Sequence, residues 1–277
     1  MKKIIFINLG GPRTTEEIHP FLDDLFSDPY VFDLPLPEFF RIRLAKFIAK
    51  KRAPKVAKAY ESMGYGGGSP LYSESIKQAD AIIKRLSELG EPDWNYEIAM
   101  TCGPPNIRNM NPENLKPGNN ILIAPLYPHF SRSTTMSTNK IIESIIGYCP
   151  ANPSNIPCGN SCEKTCLSTK IIPSSWLSPF YNDPGFVEAT SKLIIDYLSG
   201  KLNYGEFIHS KNPEITDWKK TPILFSAHGI PMRLVKKGDI YPAQIEESIQ
   251  LIDKFLKTNG HTGEIYLSYQ SKVGPAK

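Results

Sequence analysis

No stretch of this chain approaches the ~18 consecutive apolar residues that a bilayer-spanning helix needs. Nor is there a long block of like charge, the pattern that marks an arm for nucleic acid. The net charge of +4 is scattered along the sequence. Its densest basic run, AKKRAPK at residues 49–55, reads as a solvated helix end. The opening MKKIIFINLGGP has too short an apolar core for a secretion signal and lacks a small-residue cleavage site. No internal repeat is evident. These absences lead us to expect a soluble or peripheral intracellular protein that does not bind nucleic acid. Cysteine is also scarce, with five in 277 residues. Cys102 stands alone and reads as a small buried hydrophobe.

What is present is an alternation of strand and helix patterns. Residues 3–11 (KIIFINLGG) read as a buried strand and turn, and residues 96–100 and 119–127 as further strands of a parallel sheet. Thr14 with Glu17 three residues on predicts a capping box at a helix start. Apolar residues at three- and four-residue intervals predict amphipathic helices over 37–52 and 73–89. Another helix is expected over 133–148. Residues 103–120, rich in proline and asparagine, predict a short or broken crossover. Asp183 and Pro184 suit the N-cap and first turn of a helix, and the strand 222–229, the helix 241–260 and the strand 264–270 follow. The fold class is therefore α/β, with two doubly wound parallel-sheet halves, residues 1–148 and 176–277. Two clear strands leave the second half little sheet with which to close a core. It is expected to be incomplete and the chain truncated.

Between the halves, residues 149–175 are rich in Cys, Pro, Asn and Ser and show no periodicity. Such an insert usually means function, a metal or disorder. Cys149, Cys158, Cys162 and Cys166 are spaced C-x8-C-x3-C-x3-C. Four thiolates in a loop suit a [2Fe–2S] cluster or tetrahedral zinc, and this spacing alone does not choose between them.

The candidate chemistry lies at strand ends. ILFSAHGIPM, residues 223–232, carries His228 at the carboxyl end of an apolar run, between residues too small to cover it. Imidazole, with an ordinary pKa of about 6.5, accepts a proton near neutrality. Gly10–Gly11 offers backbone amides at a turn, GGGSPL offers Ser69, and YPHFSRSTTMS offers an aromatic ring and several hydroxyls.

In order along the chain, NLGGPRT, FIAKKRAPK, AYESMGYGGGSPL, APLYPHFSRSTT, FSAHGIPM, GDIYPAQIEES and SYQSKVGP resemble the motifs of ferrochelatases. The resemblance spans all but the cysteine insert. It implies two Rossmann-like halves around a porphyrin cleft, with Fe²⁺ and protoporphyrin IX as substrates and protohaem as product. It further implies that His228 lies over the macrocycle, accepting pyrrole protons or contacting the metal. By matching motif, Arg52, Lys55, Tyr60 and Ser69 position the porphyrin and its propionates, which suits charge-assisted donors. Lys51 stands where some relatives have a second arginine. Leu9 lies against the macrocycle face and favours protoporphyrin IX over coproporphyrin, and Ser133 lies in the cleft segment. Arg132 and Met136 receive no role.

The segment FDLPLPEFFRIRLAKFIAKKR resembles the lip over that pocket, which in relatives faces the membrane. Leu34, Leu36, Phe39 and Phe40 beside Arg41, Arg43 and Lys46 would form an interfacial patch, the alternative being an ordinary core-facing helix. The implied location is cytoplasmic, peripheral on the inner face of the cytoplasmic membrane. Some ferrochelatases carry a [2Fe–2S] cluster through an internal cysteine segment, which favours that cofactor over zinc or none for Cys149, Cys158, Cys162 and Cys166. Relatives continue beyond QSKVGP into an acidic catalytic segment, so a chain ending here is expected to lack His228's carboxylate partner and to be inactive alone. A second reading follows from that: a non-catalytic porphyrin- or haem-binding protein with a cysteine-bound metal cluster.

Overall fold

The run IIFI, buried from Ile4 to Ile7, makes β1 (Lys2–Asn8) the centre of a sheet. A strand covered on both faces needs such an uninterrupted apolar run. The structure, a computed structural model, describes residues 2–116, 120–147, 149, 176–201 and 217–270. It forms two compact units, Met1–Pro179 and Phe180–Lys277. Cys158, Cys162 and Cys166 lie outside the described residues, as do residues 271–277.

In the first unit β1 pairs in parallel with β2 (Trp94–Met100) on one side and β3 (Ile121–Pro125) on the other. The order β2-β1-β3 means that the chain leaves β1 towards one edge and later crosses to the opposite one. Beyond the carboxyl end of β1 there is thus a topological switch point, where α/β sheets bind ligands.

Helix α1 (Ile18–Ser27) packs against α2 (Glu38–Glu61), and α3 (Leu71–Glu88) covers β1 and β2. Ala79 of α3 meets Ile4, Phe6, Ile98 and Met100 of the sheet. A five-residue π-helical turn, Arg132–Met136, leads into α4 (Ser137–Ile146).

The local expectations hold in part. Glu17 does not close a box on Thr14. Its carboxylate accepts from the Arg13 amide at 2.8 Å and from the Arg13 guanidinium, while Thr14 makes no side-chain cap and α1 is preceded by a 3₁₀ turn, Thr15–Glu17. The guanidinium offers a cationic partner that a backbone amide does not. Helix α2 runs on past the expected end at residue 52, through Pro54. The broken crossover is found, as a cis Pro104–Pro105 peptide followed by 3₁₀ turns at Ile107–Asn109 and Pro112–Leu115.

The second unit contains, among the described residues, a parallel pair β4 (Ile223–His228) and β5 (Ile265–Gln270). Its helices are α5 (Pro184–Leu198), α6 (Met232–Lys236) and α7 (Tyr241–Thr258). The Asp183 cap forms as expected, with Oδ1 accepting from Gly185 at 2.8 Å and Phe186 at 3.2 Å. Ile223, Phe225 and Ile265 point into a cluster with Val187, Ile252 and Leu256. The alternate residues Leu224, Ser226 and His228 face outward, as the period of two in a strand requires. The sequence is thus α/β with parallel sheets in both units. Among the described residues, no helix is long and apolar enough to cross a membrane.

Candidate active site

Leu9, immediately after β1, is held by its backbone. Its amide donates to Asn8 Oδ1 at 2.9 Å. Its carbonyl accepts two bonds, from the Cys102 amide at 2.8 Å and from Thr101 Oγ1 at 3.1 Å. Asn8 is anchored in turn, its Nδ2 donating to Ser75 Oγ of α3 at 3.3 Å. The next residue, Gly10, has φ +91, and a Cβ there would stand 2.0 Å from the Cys102 carbonyl oxygen. Only glycine permits this approach. A Cβ on Gly11 would meet Ser69, whose amide donates to the Pro12 carbonyl at 2.6 Å and whose hydroxyl accepts from the Leu71 amide at 3.2 Å. The turn after β1 and the glycine-rich turn before α3 are therefore one packed structure.

Leu9 and Tyr60 pack with Phe26, Ala53, Val56 and Ala57 against a core of Ile18, Phe21, Leu22, Ala49 and Cys102. Burial pushes the Tyr60 phenol above its ordinary pKa. Arg52 is exposed on α2, its guanidinium 5.6 Å from the Phe26 ring, and Lys55 is exposed one turn further on. These two cations remain hydrated and available to carboxylates. Lys51 lies over the Phe47 ring at 5.9 Å.

After β3, burial pushes the Tyr127 phenol far upward, its hydroxyl facing Thr138 and Thr101, and pushes His129 down to about 4. His129 is therefore neutral at pH 7. Ser133 lies in the π-helical turn, its Oγ 3.0 Å from Ser131 Oγ. Cys102 fits the expectation of a buried hydrophobe: it is buried, and its thiol is pushed up to about 12 by burial and then by Asp24.

In the second unit His228 ends β4 with an exposed side chain, opposite Gln270 of β5. The Gly229 amide donates to the Gln270 carbonyl at 2.6 Å. Tyr241, at the start of α7, hydrogen-bonds the His228 main chain, and its own amide is held by buried Asp239 at 3.0 Å.

The lip residues divide. Phe39 and Phe40 are each 61% exposed and stacked edge to face, with Arg43 5.1 Å from the Phe39 ring. Arg41 is not part of that patch. It is buried and donates to the Ser27 carbonyl, pinning the lip to the end of α1. Helical geometry turns residue 41 inward with Ala45 and Ala49, the buried stripe of α2. Cys149 is fully buried beside Asn139, whose Nδ2 lies 3.4 Å from its Sγ. Among the described residues, no group of three or more His, Cys, Asp or Glu side chains is arranged to hold a metal.

In the first unit Leu9 and Tyr60 pack on one core cluster, Ser69 packs against the turn that follows Leu9, and Arg52 and Lys55 lie on α2. Thr101 went unnoticed in the sequence. Its one signal was that it follows a strand directly, the kind of strand-end position that drew attention to Gly10–Gly11 and His228.

Comparison with known proteins agrees with the motifs. A family model described as Ferrochelatase matches residues 2–277. A ferrochelatase of Leptospira biflexa is 46% identical over 279 residues, covering 100% of this chain and 71% of that protein. One from Leptospira borgpetersenii serovar Hardjo-bovis is 44% identical over 276 residues, covering 99% and 70%. The Aquifex aeolicus ferrochelatase is 35% identical over 279 residues, covering 100% and 74%. A match of this extent, with the glycine turn and strand-end histidine in place, identifies the chain as a member of the ferrochelatase family.

Proposed function

We propose that this protein inserts Fe²⁺ into protoporphyrin IX, giving protohaem and two protons in haem synthesis, with His228 as the base. The observation that carries this reading is the exposed imidazole at the carboxyl end of β4, within a chain of this family. Two pyrrole N–H groups must each give up a proton before their nitrogens can bind the metal. An imidazole flanked by Ala227 and Gly229 can reach a flat ring face, accept one such proton and pass it to water. Its free nitrogen can equally contact the incoming ion.

Leu9 and Tyr60 supply an apolar edge for the macrocycle, and Ser69 and Ser133 supply hydroxyls. Arg52 and Lys55 pair with the propionates. In the full-length gene product, His228→Ala should abolish iron insertion while porphyrin affinity, read by fluorescence titration, stays within about twofold of the parent. Retained turnover would remove His228 from the chemistry. Porphyrin binding without iron insertion by the unaltered protein would favour the non-catalytic binder instead.

The exposed Phe39–Phe40 pair, with Leu36 and the cations Arg43 and Lys46, supports peripheral attachment to an anionic membrane face. For the cysteine insert the reading is a [2Fe–2S] cluster held by Cys149, Cys158, Cys162 and Cys166. An all-thiol donor set suits it, and the Asn139 amide beside Cys149 Sγ is the kind of N–H···S contact that steadies a coordinating thiolate. Such a cluster is a one-electron redox group, and no step of the insertion is routed through it. Anaerobically purified protein should show charge-transfer bands in the visible, lost in Cys149→Ser. A colourless protein holding zinc would replace the cluster.

A further inference from the structure

We propose that Thr101 is a positioning residue for porphyrin binding, because its hydroxyl and the Cys102 amide together hold the Leu9 carbonyl and so set where the Leu9 side chain stands. The inference rests on the reading of Leu9 as part of the porphyrin face.

One hydrogen bond to a carbonyl leaves the peptide plane free to rock about the bond axis. Two donors, one for each lone pair, fix its orientation. Leu9 has this arrangement, with N···O 2.8 Å from Cys102 and O···O 3.1 Å from Thr101 Oγ1. The plane so fixed joins Leu9 to Gly10, so it governs both the Leu9 Cα–Cβ direction and the close passage of Gly10 against Cys102.

Thr101 is itself held on several sides. It is buried, its amide donates to the Asn8 carbonyl at 3.0 Å, and its carbonyl accepts from Arg108 Nη1 at 2.8 Å. A β-branched side chain has few χ1 options, which keeps the hydroxyl aimed. The amide side of Leu9 is secured separately, through Asn8 and Ser75 of α3. Thr101 is thus the link by which the end of β2 sets the residue after β1.

The test compares Thr101→Val, Thr101→Ser and Leu9→Ala in the full-length gene product. Valine keeps the branched shape and removes only the hydroxyl. Because the lost hydroxyl also faces the buried Tyr127 phenol, urea unfolding of Thr101→Val beside the parent checks that the fold persists. Thr101→Val should raise the KM for porphyrin roughly fivefold, the scale of one lost neutral hydrogen bond. The KM for Fe²⁺ and kcat should stay within about twofold, since His228 and the β4–β5 pairing that carries it are unchanged. Thr101→Ser, which restores the hydroxyl, should return the porphyrin KM to near the parent value.

If Leu9→Ala weakens porphyrin binding but Thr101→Val does not, the positioning role fails and the Leu9 reading survives. If neither has an effect, the Leu9 reading fails and takes the inference with it. If Thr101→Val lowers kcat or raises both KM values alike, without rescue by serine, Thr101 is merely structural and the proposal is overturned.

Discussion

Replacing Gly10 with alanine tests the packing of the turn after β1 directly. The added Cβ would lie 2.0 Å from the Cys102 carbonyl oxygen and 2.9 Å from the Met100 Cβ. Both obstacles belong to the end of β2 and the residues just after it, so neither can swing away as a side-chain tip would. The backbone must separate, which breaks the Cys102-to-Leu9 bond at 2.8 Å and weakens the Thr101-to-Asn8 bond at 3.0 Å. At about 1 kcal/mol each, these losses come to roughly 2 kcal/mol. The left-handed φ of +91 adds about 1–2 kcal/mol for any residue with a Cβ. The expected destabilisation is therefore about 3–4 kcal/mol, or a fall in melting temperature on the order of 10 °C for a unit of this size.

Gly64→Ala is the internal control. Gly64 has a similar φ of +80, but nothing lies within 4 Å of where its Cβ would stand, so only the conformational cost of about 1–2 kcal/mol applies. Urea unfolding of the two variants beside the parent measures the difference. Equal destabilisation by the two substitutions would refute the close approach on which the site geometry depends.

Asp183→Ala should cost about 1 kcal/mol by freeing the Gly185 and Phe186 amides at the start of α5, read as a shifted denaturation midpoint. The Glu17 carboxyl is held below its ordinary pKa, first by its hydrogen bond with Arg13. Its contribution is therefore fully present above the unfolded pKa and is lost as pH falls through the folded one; Glu17→Gln should lower stability at neutrality and flatten the acid limb of the unfolding curve, and an unchanged limb would count against the pair. Replacing both Phe39 and Phe40 with serine should reduce co-sedimentation with anionic vesicles by at least tenfold, since burying one exposed Phe contributes about 1.5–3 kcal/mol. Unchanged sedimentation would leave the lip as ordinary surface.

Much of this architecture was written locally. Four successive apolar residues marked β1, and Asp183–Pro184 announced the start of α5. The apolar run ending at Ala227 delivered His228 to a strand end, exposed because odd and even positions face opposite ways. Motif order along the chain was enough to name the family. Each of these is a pattern within a few residues, and neighbouring side chains and backbone amides decide it.

Other features depended on segments distant in sequence. Leu9 meets Cys102 and Thr101 only because β1 and β2 pair with Asn8 opposite Met100, a register that no local period encodes. Gly11 meets Ser69 only because α3 folds back over that same sheet. Glu17 abandoned the expected box because Arg13 placed a cation within reach, and Arg41 left the lip because α2 turned it towards Ser27. Sequence nominated the residues proposed to bind a porphyrin and move its protons. Tertiary packing decided how firmly the turn carrying Leu9 is held, since close backbone contact between separate strands exists only once the sheet has formed.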